Sequence, residues 1–167
     1  MTNSVLDIAD GMETFSQFET QKPLGIVDGY DHLHEKICRL EEEGLERVIE
    51  RLVKRENFTQ EHALKCRIEF LRFISLRFLE TGERHSPAAD VDTFWHAFIL
   101  HTRDYMNFCS KHFGHYYHHE PYDHRVSTVT EVSPGALTKR LMIEIYPDHD
   151  AEIWDAAEDM CSNGYCD

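Results

Sequence analysis

Side chains that can bind a metal or transfer a proton are concentrated between Asp90 and His119. This stretch contains six of the twelve histidines in the 167-residue chain, and a cysteine lies at position 109. Neutral imidazole and thiolate groups are ligands that suit zinc, iron and copper. We therefore expect any chemistry of this protein to be carried by this stretch.

The spacing within the stretch limits which side chains can meet on one helix. Asp92 and His96 are four residues apart, so on a helix they share a face, and the carboxylate can accept the imidazole N–H. His96 and His101 are five residues apart and lie on different faces. One helix therefore cannot gather His96, His101 and Cys109 around a single ion, and a later loop or another segment must contribute.

We accordingly predict a transition-metal site, with zinc or iron as the ion. Its candidate ligands are an imidazole or thiolate at each of five positions: His96, His101, Cys109, His118 and His119. Asp92 and Tyr105 are predicted to support these ligands through hydrogen bonds rather than to bind the ion. If the site is catalytic, the ion would activate water or bind an oxygen-containing substrate, although the sequence identifies no catalytic residue.

A structural interpretation of the same residues stays open. A histidine beside Trp95 on a helix is often a buried, hydrogen-bonded residue, and the spacing matches neither H-E-x-x-H nor a paired C-x-x-C motif. Cys38 and Cys66 lie in apolar helical patterns and are predicted to be buried thiols. Cys161 and Cys166, near the C-terminus, could bind metal or form a redox pair.

Helical periodicity dominates the rest of the chain. Apolar residues from Leu33 to Val53 predict a helix that the run 41–44 bends or splits. Thr59 is predicted to cap the next helix, which is apolar on several sides and so central to the core. Ser86 and Pro87 predict a long helix that ends at Gly114.

The remaining segments complete a mainly α fold. Residues 1–29 are predicted to form an irregular arm, and residues 123–132 a short strand or extended linker. Ser133 and Pro134 predict another capped helix, and 151–160 a weak one. We therefore expect a single compact helical domain over residues 1–167, with a His-rich loop near 115–121 and a flexible tail at 161–167.

The charge balance restricts the classes of partner. Asp and Glu total 31 against 17 Lys and Arg, so the formal net charge is −14. Such a chain is repelled by nucleic-acid phosphates and anionic membranes, so direct binding to either is not expected. The alternative function is a non-catalytic acidic module that binds a basic partner protein. An odd number of cysteines and the absence of a signal-peptide pattern predict a cytoplasmic protein.

The stretch also resembles the glycine-rich domain-containing protein-like family of plants and bacteria. The resemblance covers about residues 61–121, and it rests on the following positions: Glu69 to Phe73, Val91, Asp92, Trp95, His96, Leu100, His101, Thr102, Tyr105, Phe108, Cys109, Phe113, Gly114, His118, His119 and Pro121. It implies a shared site rather than a named reaction.

One position departs from that family's pattern. The family usually has a second histidine two residues after the first, and Phe98 occupies that position here. If the family's histidine is a ligand, His101 or His118 would have to replace it. Otherwise the motif is mainly structural, with Trp95 filling the core.

Overall fold

The computed structural model describes residues 33–79, 82–119 and 133–155, and within these ranges it contains helices and no strands. The helices are α1 (His34–Glu41), α2 (Glu46–Arg55), α3 (Gln60–Ser75) with a 3-10 extension (Leu76–Leu79), α4 (Ala89–Ile99), α5 (Thr102–Phe113), α6 (Pro134–Ile145) and α7 (Ala151–Asp155). The predicted mainly α fold is confirmed. The predicted arm at 1–29, the segment at 123–132 and the cysteines of the tail lie outside the described residues.

Helix α3 lies at the centre of the core, as its apolar pattern predicts. It contacts α1, α2, α4 and α6. Phe70 is fully buried, and its ring centroid lies 5.2 Å from that of Phe94 and 5.9 Å from that of Phe98. Within the described residues, no helix is both long enough and apolar enough to cross a bilayer.

The acidic run at 41–44 splits the first predicted helix into α1 and α2. Leu45, the residue that precedes α2, has a left-handed backbone with φ of 53°. Arg67 on α3 donates hydrogen bonds to the carbonyl oxygens of Glu43 (2.6 Å) and Glu41 (2.5 Å). These bonds satisfy the carbonyl of the last residue of α1 and a carbonyl of the turn that follows it, neither of which has a partner within the helix.

Three of the local helix signals are confirmed. The Thr59 hydroxyl oxygen accepts the His62 N–H (3.1 Å), and the Ser133 hydroxyl oxygen accepts the Ala136 N–H (3.2 Å). Gly114 ends α5 in a left-handed conformation with φ of 74°, which glycine adopts without a steric penalty. In each case the signal and the helix end are adjacent in the chain.

The predicted start at Ser86 is wrong. Helix α4 begins at Ala89, and its N-cap residue, Ala88, makes no side-chain hydrogen bond. The backbone N–H of Ser86 instead donates to the hydroxyl of Thr138 on α6 (3.0 Å). Ser86 therefore ties the segment before α4 to a distant helix.

The single long helix predicted up to Gly114 is also wrong, because the chain breaks between Ile99 and Thr102. Trp95 and Tyr105 are ten residues apart, which on one straight helix is about 15 Å along the axis. The break brings their side chains together, and the Trp95 indole N–H lies 2.9 Å from the Tyr105 hydroxyl oxygen. Both helices thereby bury their aromatic faces in the same core.

A buried ion network joins α3 to the C-terminal helices. Glu69 and Arg72 are almost fully buried, and Arg72 donates to the carboxylates of Glu69 (3.0 Å) and Asp148 (2.7 Å). Glu69 also accepts the indole N–H of Trp154 (2.7 Å) and the backbone N–H of Asp150 (3.1 Å). Buried charges are tolerated in a protein when they are paired and hydrogen-bonded in this way.

We predict that Glu69→Gln lowers the free energy of unfolding by about 3–5 kcal/mol, because it leaves the buried Arg72 undercompensated. Urea denaturation followed by far-UV circular dichroism measures this change. The control is Glu61→Gln on the same helix, whose carboxylate is exposed and which we expect to change stability by less than about 0.5 kcal/mol. Equal effects of the two substitutions would contradict the assigned role of Glu69.

Candidate metal centre

Two imidazoles and a carboxylate meet beside the first turns of α4. Asp92 lies in the first turn, His96 one turn later, and His119 in the loop that follows α5. His119 Nε2 is 2.7 Å from Asp92 Oδ1, and His96 Nδ1 is 3.6 Å from Asp92 Oδ2. One ligand atom from each residue lies within 4.8 Å of the other two. We call this group the α4–loop cluster.

The loop reaches α4 because aromatic residues hold it there. The Trp95 indole donates to the Tyr105 hydroxyl (2.9 Å), which in turn donates to the carbonyl oxygen of Tyr117 (2.6 Å). The Tyr117 ring stacks on the Trp95 ring with centroids 5.4 Å apart and nearly parallel planes. The centroid of the His119 ring lies 4.4 Å from that of Trp95, with the two ring planes steeply inclined to each other. These contacts direct His119 towards Asp92.

Burial raises the pKa of Tyr105, so its hydroxyl stays protonated and can continue to donate. Tyr105 is fully buried, and the thiol of Cys109, one turn later on α5, adds to the increase in its pKa. Tyr105 therefore supports the loop rather than a ligand directly. Asp92, which was predicted to be a supporting residue, lies where it could bind an ion itself.

The structure separates the five predicted ligands into two groups. His96 and His119 are brought together, whereas His101, Cys109 and His118 do not join them. His101 is the N-cap residue of α5, and its buried Nε2 has no hydrogen-bond partner among the described residues. Cys109 is fully buried in the core, and the His118 ring packs against Tyr116 with centroids 4.8 Å apart.

The α4–loop cluster has the donor set of a metal site with open positions. Two histidines and one carboxylate are the protein ligands of several catalytic zinc sites and of the non-haem iron facial triad. Ligand atoms that bind one ion at about 2.0–2.2 Å lie roughly 3–3.5 Å apart, and the three ligand atoms of this cluster, all within 4.8 Å of one another, are close to that spacing. More than half of the His96 side chain is exposed (55%), which leaves the outer side open to solvent.

Sequence reasoning missed a second cluster, which lies between α3 and α4. His62 Nε2 is 2.8 Å from Asp90 Oδ2 and 3.6 Å from the Cys66 sulfur. These three residues also offer ligand atoms within 4.8 Å of one another. Cys66 is fully buried as predicted, and burial raises the pKa of its thiol to about 12. The four-residue spacing of His62 and Cys66, which places both side chains on one face of a helix, is the sequence feature that could have predicted part of this cluster.

A cleft of about 500 Å³ lies apart from both clusters. Basic and aromatic side chains line much of it, among them Lys36, Arg77, His85, Phe113 and Tyr117. Tyr117 also stacks on Trp95, so the loop that carries His119 forms part of the wall of this cleft. None of the residues in either cluster lines the cleft.

The described part of the chain is thus helical, and two clusters of side chains that are able to bind a metal lie beside α4. The sequence profile of the UCP032817-like family matches residues 35–133, which is more than half of the chain. The chain therefore belongs to the UCP032817-like family, whose description names no activity. No curated protein matches the chain, and no solved structure matches it.

The resemblance to the glycine-rich domain-containing protein-like family is wrong, since the matching family is the UCP032817-like one. The matched region begins within α1 and extends past His119, so it is wider than the region 61–121. Much of the motif behind that resemblance consists of core residues such as Trp95, Phe108 and Cys109. Aromatic core patterns can recur in unrelated helical proteins because they satisfy the same packing requirement.

We predict that Tyr105→Phe destabilises the fold by about 1–3 kcal/mol, because it leaves the buried Trp95 N–H without its acceptor. It also removes the donor to Tyr117, so backbone amides of residues 115–119 should exchange with deuterium faster than in the wild type. The control is Tyr116→Phe, which alters an exposed neighbouring ring. Unchanged exchange in the loop of Tyr105→Phe would exclude this hydroxyl as the contact that holds the loop.

Proposed function

We propose that this protein binds a divalent transition metal, zinc or iron, through Asp92, His96 and His119. The observation that carries the proposal is the convergence of three ligand atoms, from α4 and from a loop 23 residues beyond His96, within 4.8 Å. Nitrogen and oxygen donors in this combination suit both ions. His119 is held by the aromatic contacts of its loop, so much of the site is positioned before an ion arrives.

The exposed side of the cluster supports a catalytic use of the ion. Three protein ligands leave at least one coordination position for water or substrate, unlike the closed four-ligand sites that only stabilise a fold. A bound zinc ion lowers the pKa of its water to about 7 and polarises carbonyl or phosphoryl oxygens. The more specific form of the proposal is therefore that the protein is a metal-dependent enzyme.

The competing explanation is a hydrogen-bonded latch that fixes the loop to α4. Such a latch requires Asp92 and His119, whose bond is 2.7 Å, but it makes little use of the exposed His96. A metal site requires all three residues. His96 is therefore the residue whose replacement distinguishes binding of a metal from simple loop attachment.

We predict that His96→Gln weakens zinc binding at this cluster at least about a hundredfold, since it removes one of three ligands. The stability of the metal-free protein should change by less than about 0.5 kcal/mol, because the side chain is largely exposed. Elemental analysis of protein purified without a histidine tag, followed by calorimetric titration of the metal-free form with zinc, measures the first effect. Urea denaturation measures the second.

His118→Gln is the matched control, because it removes a neighbouring histidine that is not part of the cluster. It should retain the stoichiometry of the wild type, whereas His96→Gln and His119→Gln should each bind one equivalent less. If all three variants bind as much zinc as the wild type, the proposal is wrong. Large destabilisation of metal-free His119→Gln alone, with no change in metal content, would establish the latch.

A further inference from the structure

We propose a second, separate metal site at His62, Cys66 and Asp90, which takes a thiophilic divalent cation such as zinc. It does not depend on the proposed function, because it shares no ligand with the α4–loop cluster. Its ligand set is one sulfur, one nitrogen and one oxygen atom. Thiolate and imidazole together favour zinc over magnesium or calcium, which prefer oxygen ligands.

The geometry around His62 brings the three ligand atoms together. His62 and Cys66 are one turn apart on α3, so their side chains point to the same side. Asp90 comes from the first turn of α4, and its carboxylate is 2.8 Å from His62 Nε2. That same nitrogen lies 3.6 Å from the Cys66 sulfur. The ligands thus come from two helices that pack against each other in the core.

The surroundings of His62 restrain its imidazole. Its backbone N–H donates to the Thr59 hydroxyl at the helix start, and its ring lies 4.8 Å from the ring of Phe58. Cys66 is fully buried, whereas the side chains of His62 and Asp90 are partly exposed. An ion bound here would have the sulfur on its inner side and solvent on its outer side. Cys66 would release its thiol proton to solvent on binding.

The two clusters lie on different sides of α4. Asp90 and Asp92 are two residues apart, which on a helix corresponds to a rotation of about 200°. Asp90 consequently pairs with α3, while Asp92 pairs with the loop after α5. An ion at His62–Cys66–Asp90 would link α3 to α4 and stabilise their contact.

The chain contains an internal comparison for this site. His34 and Cys38 on α1 have the same four-residue spacing, and the Cys38 sulfur is 3.6 Å from His34 Nδ1. Among the described residues, no third side chain that could bind a metal lies close enough to complete this pair. Cys38→Ser is therefore the matched control for Cys66→Ser, since it removes a thiol beside a histidine without removing a three-ligand cluster.

The test is a titration of the reduced, metal-free 167-residue chain with cobalt(II), in which binding is monitored by absorbance. Cobalt replaces zinc in such sites, and a bond to thiolate gives a charge-transfer band in the near-ultraviolet. We expect the band in the wild type, in Cys38→Ser and in His96→Gln. It should be absent in Cys66→Ser, and cobalt should bind at least tenfold more weakly in His62→Gln and Asp90→Asn.

Several results would overturn this site. If the charge-transfer band persists in Cys66→Ser, the thiolate bound to cobalt belongs to another cysteine. If the wild type shows no such band, cobalt has no thiolate ligand in this protein. Far-UV circular dichroism checks that Cys66→Ser is folded. If Cys66→Ser is unfolded, the site is tested by His62→Gln and Asp90→Asn, because these side chains are partly exposed and their replacement should leave the protein folded. Unaltered cobalt affinity in both variants would refute the site. Absence of the band in the wild type would refute this site without bearing on the proposed function. The proposed function is tested separately by the zinc stoichiometry of the His96 and His119 variants.

Discussion

The Tyr105 hydroxyl connects helix α5 to the two segments that form the α4–loop cluster, which are helix α4 and the loop after α5. It accepts the indole N–H of Trp95 on α4 and donates to the Tyr117 carbonyl in the loop, while Tyr105 itself belongs to α5. Because the hydroxyl is buried, water cannot easily replace either bond, and losing one partner leaves a polar group unsatisfied. The break between α4 and α5 makes this arrangement feasible, and the position of His119 follows from it.

Helix α4 presents carboxylates on two of its sides. Its first turn carries Asp90 and Asp92, and carboxylates are favourable at this end because the partial positive charge of the helix N-terminus stabilises them. Val91 lies between them and is fully buried, which fixes the rotation of the helix against the core. That rotation sends one carboxylate towards α3 and the other towards the loop. The same packing constraint thus orients both clusters.

Helix α3 supplies the rigid frame for these contacts. It carries Phe70 at the centre of the aromatic core, and Glu69 and Arg72 in the buried ion network. The network fixes the C-terminal helices to α3, so α3 is held on several sides. His62, near the N-terminal end of α3, therefore meets Asp90 at a well-defined position. Ligands on rigid, packed helices give more defined metal geometry than ligands on loops.

The sequence alone determined the mainly helical fold, the ends marked by Thr59, Ser133 and Gly114, and the placement of Asp92 and His96 on one face of a helix. Each depends on residues that are close in the chain, where backbone geometry and side-chain spacing are coupled. Only the tertiary structure decided that α4 ends at Ile99, that His119 rather than His101 or Cys109 reaches Asp92, and that Cys66 lies beside His62 and Asp90. These contacts depend on how aromatic side chains pack between segments far apart in sequence, and helical periodicity does not specify which buried faces meet.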